Sequence, residues 1–190
     1  TFTKSLAEFY PMAIGYSMGG RMLLQHEKQF PGLVSKLILE SVHPGLTDSH
    51  EKSERLLKDQ SLLDGLFTTA KFRDFLEKWY DLPLFSGIKS LPNCEELIKV
   101  KIESRPEELQ RGLNLLSTGH QDDCRNVFIE TSTPLVYLAG ENDEKYKTFA
   151  DEIKSLSNEN VQVVVVPNHS HNIHFQSSQL LSIYLKAALI

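Results

Sequence analysis

Ser17 stands between Gly15 and Gly19 in GYSMG, the pattern G-x-S-x-G. An apolar run leads in from Met12 and a helical pattern, GGRMLLQHEKQF, leads away. A strand turning sharply into a helix lifts a serine hydroxyl clear of the sheet. There the positive end of the helix dipole and free backbone N–H groups, that of Met18 among them, can receive a developing oxyanion. Read by itself, GYSMG is equally a glycine-rich turn with an idle serine. Serine becomes reactive only beside a base, which must come from elsewhere in the chain.

An acid and a histidine follow in the order Ser, Asp, His. Asp143 comes after an apolar run in LAGENDEKY, and His171 after another in VVPNHSHNIH. Both lie just past the expected C-terminal ends of strands, the edge where open α/β sheets place their sites. A carboxylate at position 143 can orient an imidazole and stabilise its protonated form. Glu141 and Glu144 compete for that role, and Asp143 also reads as a turn residue or helix cap. His169, His171 and His174 crowd together as metal ligands do. However, the sequence offers them no neighbouring carboxylate or cysteine, and a metal would consume the base, so no metal is expected.

The elements that must position these groups are strands at MAIGYS, LVSKLILES, PLVYLAG and VQVVVVP. Near-continuous apolar strands between helical patterns indicate a mostly parallel sheet covered on both faces. The helix after Ser17 should stop at Pro31 and Gly32. DEKYKTFADEIKSL should bury Tyr146, Phe149, Ala150, Ile153 and Leu156 on one face. Between the second and third strands lie about ninety residues without a strand signal, too many for a plain connection. KFRDFLEKWY and RPEELQRGLNLLSTG within them are helical, the second with Pro106 in its first turn and Gly119 as its stop. The expected division is an α/β core of residues 1–43 and 131–190 with a helical cap at 44–130.

The formal charge of −5 comes from interspersed charges without a basic stripe, so nucleic acid is not an expected partner. No apolar run reaches the ~18 residues a bilayer requires, and no signal peptide is visible. Cys94 and Cys124 do not make a disulfide framework, which fits a reducing compartment and a cytoplasmic location.

GYSMGGRM, LILESVHPGL, WYDLPLF, LAGENDEKY and HNIH, in this order from residue 15 to 174, resemble the 2-succinyl-6-hydroxy-2,4-cyclohexadiene-1-carboxylate synthases. These are α/β-hydrolase-fold enzymes that eliminate pyruvate in menaquinone biosynthesis. The resemblance implies an α/β-hydrolase fold and a triad of Ser17, Asp143 and His171. It also implies a multiply carboxylated small-molecule substrate and no cofactor. Substrate contact is implied for Tyr16 and Met18 beside the serine and for Arg21 four residues on. The same holds for Arg55 and Trp79 in the cap, although Arg55 reads equally as an exposed helical arginine and Trp79 as core. Arg21 has the alternative of a surface residue pairing with Glu27. The chain departs from the family at Ser170, where a glycine is usual, at Gln176, which replaces an acid, and at Lys101, near a missing arginine. The family's upstream sheet and its His-Gly oxyanion loop have no counterpart here, so the strand before Ser17 is expected at an exposed edge. Two other readings stay open: a serine hydrolase acting on an ester or carbon–carbon bond, and an inactive remnant of the fold.

Overall fold

The four apolar runs form a parallel sheet in the order β1 (Met12–Tyr16), β2 (Lys36–Glu40), β3 (Leu135–Gly140), β4 (Val161–Val166). The computed structural model describes residues 12–63, 69–82, 85, 88–91, 94–103, 106–177, 179 and 182. Leu37, Ile38 and Leu39 of β2 and Leu135, Tyr137, Leu138 and Ala139 of β3 are all buried. Consecutive buried residues mean both faces are covered, which is why these strands read as unbroken apolar runs instead of alternating ones. β1 is the outer strand of the described sheet, and Ile14 on it is 44% exposed.

The chain divides into two compact units. One takes the described residues up to Pro44 and from Asp123 onward, and the other runs from Gly45 to Asp122. In the first, helix α1 (Ser17–Gln29) buries Gly20, Leu24 and Glu27, a stripe at helical spacing. The Glu27 carboxylate is buried and functions as an anchor. Its Oε1 accepts from the hydroxyls of Thr131 at 3.0 Å and Thr133 at 2.7 Å and from the N–H of Gly32 at 3.3 Å. That fastens the end of α1 to the turn entering β3.

The second unit contains α2 (Ser49–Leu63), α3 (Thr69–Trp79), α4 (Cys94–Ile102) and α5 (Pro106–Leu115). Phe72 and Leu76 of α3 are buried, and Trp79, Tyr80 and Ile98 pack against a buried cluster of Phe85, Ile88 and Cys94. Its far boundary differs from the expected 130. α6 (Arg125–Glu130) belongs to the sheet unit because Phe128 packs edge-on to Tyr137 at 6.1 Å and Arg125 pairs with Glu152 at 2.6 Å. Gly119 also has a different role. α5 ends at Leu115, and Gly119 lies in a short 3-10 turn where a Cβ would come 2.6 Å from Leu56 Cγ, so close packing and not helix termination requires glycine.

The sheet unit also contains α7 (Glu144–Leu156) and α8 (Ile173–Gln176). α7 buries Tyr146, Ala150 and Ile153 as its sequence predicts, while Leu156 is exposed at its end. Among the described residues, no helix is long and apolar enough to cross a membrane. Cys94 and Cys124 are both buried and do not form a disulfide.

Candidate active site

Ser17 is the first residue of α1 and has φ +46°, in the left-handed region. A non-glycine residue held there stores strain of about 1–3 kcal/mol, and such strain collects where surroundings fix a functional geometry. The turn is tight because Gly15 and Gly20 touch. A Cβ on Gly15 would lie 2.5 Å from Gly20 Cα, and one on Gly20 would run into the Val42 side chain. Gly19, the second glycine of the pattern, has open space instead. Crowding therefore selects Gly15 and Gly20, not the pair that flanks the serine.

His171 Nε2 accepts from Ser17 Oγ at 3.1 Å, and its Nδ1–H donates to Asp143 Oδ2 at 2.7 Å. Asp143 and His171 are buried, so their hydrogen bond is sheltered from water. Asp143 fills both roles its sequence allowed, because Oδ1 caps α7 by accepting from the Tyr146 N–H at 3.4 Å. Glu141 is engaged elsewhere, accepting from the Asn168 N–H at 2.9 Å, and Glu144 is exposed in the first turn of α7. The arrangement can take a proton onto His171 through Ser17, with Asp143 stabilising the imidazolium.

The segment carrying His171 is held at several points. Gly140 allows the carbonyls of His169 and Ser170 to pack where a Cβ would stand. The Asn142 N–H donates to the His169 carbonyl at 2.8 Å, and the Ser41 hydroxyl donates to the His171 carbonyl at 2.9 Å. Gln176, where the family usually has an acid, accepts from the Ser170 N–H at 2.7 Å. Ser41 escaped the sequence reading; a serine directly after a buried strand carries no distinguishing local signal.

The three clustered histidines have three different surroundings. His169 donates to the Pro167 carbonyl at 2.7 Å, His171 joins Ser17 and Asp143, and His174 binds Glu40 at 2.8 Å. The cluster therefore does have a carboxylate neighbour, contrary to the sequence expectation, because Glu40 is brought in from β2. Among the described residues, no three His, Cys, Asp or Glu side chains converge as metal ligands.

Tyr16 lies edge-on to His171, with ring centroids 5.3 Å apart, and Tyr146 abuts the same imidazole at 4.5 Å. Met18 follows Ser17 in the first turn of α1, where backbone N–H groups have no intrahelical acceptor. Arg21 is half-buried one turn further on. Arg55 and Trp79 belong to the helical unit: Arg55 pairs with Asp59 at 2.9 Å, and Trp79 packs on Phe75 and Phe85.

Ser17, Asp143 and His171 follow the C-terminal ends of β1, β3 and β4 in that chain order, and the chain has the α/β-hydrolase fold. Within it, the chain is similar to 2-succinyl-6-hydroxy-2,4-cyclohexadiene-1-carboxylate synthases. It is 32% identical over 173 residues to the one from Bacillus subtilis, described as putative, covering 88% of this chain and 61% of that protein. It is 32% identical over 164 residues to the synthase of Photorhabdus laumondii, covering 85% and 55%. The structure of MenH from S. aureus superposes with a TM-score of 0.85 at 28% identity, covering 94% of this chain and 67% of that one. A thermophilic esterase from Thermogutta terrifontis, at TM-score 0.68 and 17% identity, shares the fold. No protein-family profile matches the chain. The chain spans about three fifths of the length of the curated relatives it matches.

Proposed function

We propose that the protein is a carbon–oxygen lyase that releases pyruvate from a succinylated cyclohexene carboxylate to give 2-succinyl-6-hydroxy-2,4-cyclohexadiene-1-carboxylate. The observation carrying this reading is the unbroken relay from Asp143 to His171 at 2.7 Å and to Ser17 at 3.1 Å, in a chain similar to synthases of that product.

In this reading Ser17, its own proton drawn onto His171, removes a proton from the substrate ring. The C–H electrons form the new ring double bond, the C–O bond to the enolpyruvyl group breaks, and pyruvate departs as its enolate. His171 then returns the proton. Asp143 holds the imidazole in the tautomer that leaves Nε2 facing the serine. The N–H of Met18 and the N-terminal end of α1 stabilise negative charge as it develops. Arg21 binds a substrate carboxylate, for which a guanidinium has matching geometry. Acid–base chemistry of this kind needs no cofactor. Arg55 and Trp79 are proposed as substrate contacts on the resemblance, and the chemistry does not depend on them. Two cysteines that form no disulfide suit a cytoplasmic enzyme.

The test is pyruvate release from the succinylated substrate, followed by coupling to lactate dehydrogenase. Turnover that disappears in Ser17→Ala is the expected result. Ester hydrolysis with an acyl-enzyme burst, in the absence of pyruvate release, would replace this reading with that of a serine hydrolase.

A further inference from the structure

A second histidine–carboxylate pair lies beside the relay. Glu40 ends β2, directly in register with Tyr16 at the end of β1. Its carboxylate is 1% exposed, and Oε1 takes both the ring Nδ1–H of His174 at 2.8 Å and the backbone N–H of the same residue at 3.3 Å. A buried carboxylate without such donors is strongly destabilising, so this pairing holds the imidazole of His174 in one orientation. That imidazole meets the Tyr16 ring edge-on at 4.7 Å, and the Tyr16 ring meets His171 at 5.3 Å.

The relay depends on this support because of how His171 is held. Asp143 fixes Nδ1 and Ser41 fixes the backbone carbonyl, while the Tyr146 and Tyr16 rings against the imidazole limit how far it tilts with the Nδ1 hydrogen bond as pivot. A small swing carries Nε2 away from a serine that is already 3.1 Å distant. The Tyr146 ring is placed by the first turn of α7, whereas the Tyr16 ring projects from the end of β1. His174, tied to Glu40, is a ring it packs against.

We propose that Glu40 and His174 are positioning residues for His171, acting as one unit through the Tyr16 ring. The inference rests on the triad reading of Ser17, Asp143 and His171, but not on the identity of the substrate. Displacing a reacting group by a fraction of an ångström is costly, with ~1 Å worth about a hundredfold, so a loosened ring should cost about tenfold.

The experiment uses the 190-residue chain and two readouts. One is the NMR resonance of the His171 Nδ1 proton, identified by its loss in Asp143→Asn; the other is the kcat and KM of pyruvate release. His174→Ala and Glu40→Leu should each broaden the resonance and lower kcat about tenfold, with KM within about twofold. The double variant should lose no more than either single one, because the two residues act together. Glu40→Gln, which keeps an acceptor for His174, should recover both readouts. Circular dichroism and the thermal midpoint identify variants that have lost their fold, and the exposed edge of His174 makes its substitution the safer of the two.

A sharp resonance and unchanged kcat in His174→Ala would overturn the inference. Additive losses in the double variant would do the same, as would a rise in KM at constant kcat, which means that His174 touches substrate. If the wild type releases no pyruvate while its resonance still broadens in both variants, the synthase reading fails and the positioning role stands.

Discussion

At the scale of single residues, the site is a division of labour among groups that differ in what they touch. In the proposed reaction Ser17 and His171 meet the reacting atoms, so Ser17→Ala and His171→Ala should each lower pyruvate release by about 10³-fold or more. The His169 side chain reaches only a backbone carbonyl in its own turn, and His169→Ala should leave the rate within about twofold. Equal losses at all three histidines would instead point to damage to the fold or to a bound metal. In the proposed complex Arg21→Ala removes a charged hydrogen bond to substrate of about 1.5–3 kcal/mol, so KM should rise roughly 10- to 150-fold with the protein still folded. Unaltered kinetics and stability together would make Arg21 a surface residue. Asp143 shows how one side chain can serve two purposes, with one carboxylate oxygen given to a helix end and the other to the imidazole.

At the scale of elements, the junction between β1 and α1 decides where Ser17 sits, and glycine packing decides the junction. A methyl group on Gly20 meets the buried Val42 side chain and the Gly15 carbonyl, and the carbonyl cannot retreat without moving β1. Gly20→Ala should therefore destabilise the protein by about 1–3 kcal/mol, the usual cost of overpacking. Gly19→Ala meets nothing within 4 Å in a helical position and should stabilise by about 0.5–1 kcal/mol through helix propensity. Urea denaturation of the two variants checks both signs; similar losses would place the crowding elsewhere. The same logic explains Gly140, whose missing Cβ lets the His171 segment close over the end of β3.

At the scale of the whole molecule, the sheet unit has its centre at Tyr137, a fully buried residue of β3 whose hydroxyl donates to the Val42 carbonyl at 2.8 Å. Burial is the main cause that pushes this phenol well above the ordinary tyrosine value of 10.0, with the charges of Tyr146 and Asp143 adding to it. In the unfolded chain the phenol ionises near that ordinary value, while in the folded protein it keeps its proton. Its contribution to stability is thus fully present below about pH 10 and is lost as the pH rises toward the folded value. Folding free energy should fall above about pH 10, and Tyr137→Phe should make the fall shallower while costing about 1 kcal/mol at neutral pH. Denaturation across an alkaline pH series measures both effects, and an unchanged slope in Tyr137→Phe would assign the alkaline loss to other groups. Tyr80, raised by burial and then by Cys94, is the residual contributor to expect in the helical unit.

The sequence by itself determined the strands, the helix after Ser17 and the Ser, Asp, His order. Each of these is a local signal: an apolar run, a 3.6-residue period, or a reactive residue immediately after a strand. It also contained the likeness to the synthases, because short motifs survive as spaced residue types. Tertiary structure decided what depends on segments far apart in the chain. Glu40 is 134 residues from His174, and nothing in KLILES marks its carboxylate as that histidine's partner. Glu27 read as a surface partner for Arg21, yet it is buried against two threonines more than a hundred residues away. Nothing local in SNEN marks its contacts, yet Asn158 Nδ2 donates to the carbonyls of Ile129 at 3.0 Å and Thr131 at 2.9 Å and so holds the end of α6. Periodicity reports which face of a segment is buried. It does not report which other segment supplies the covering atoms, and for a polar group that partner determines whether burial is tolerated at all.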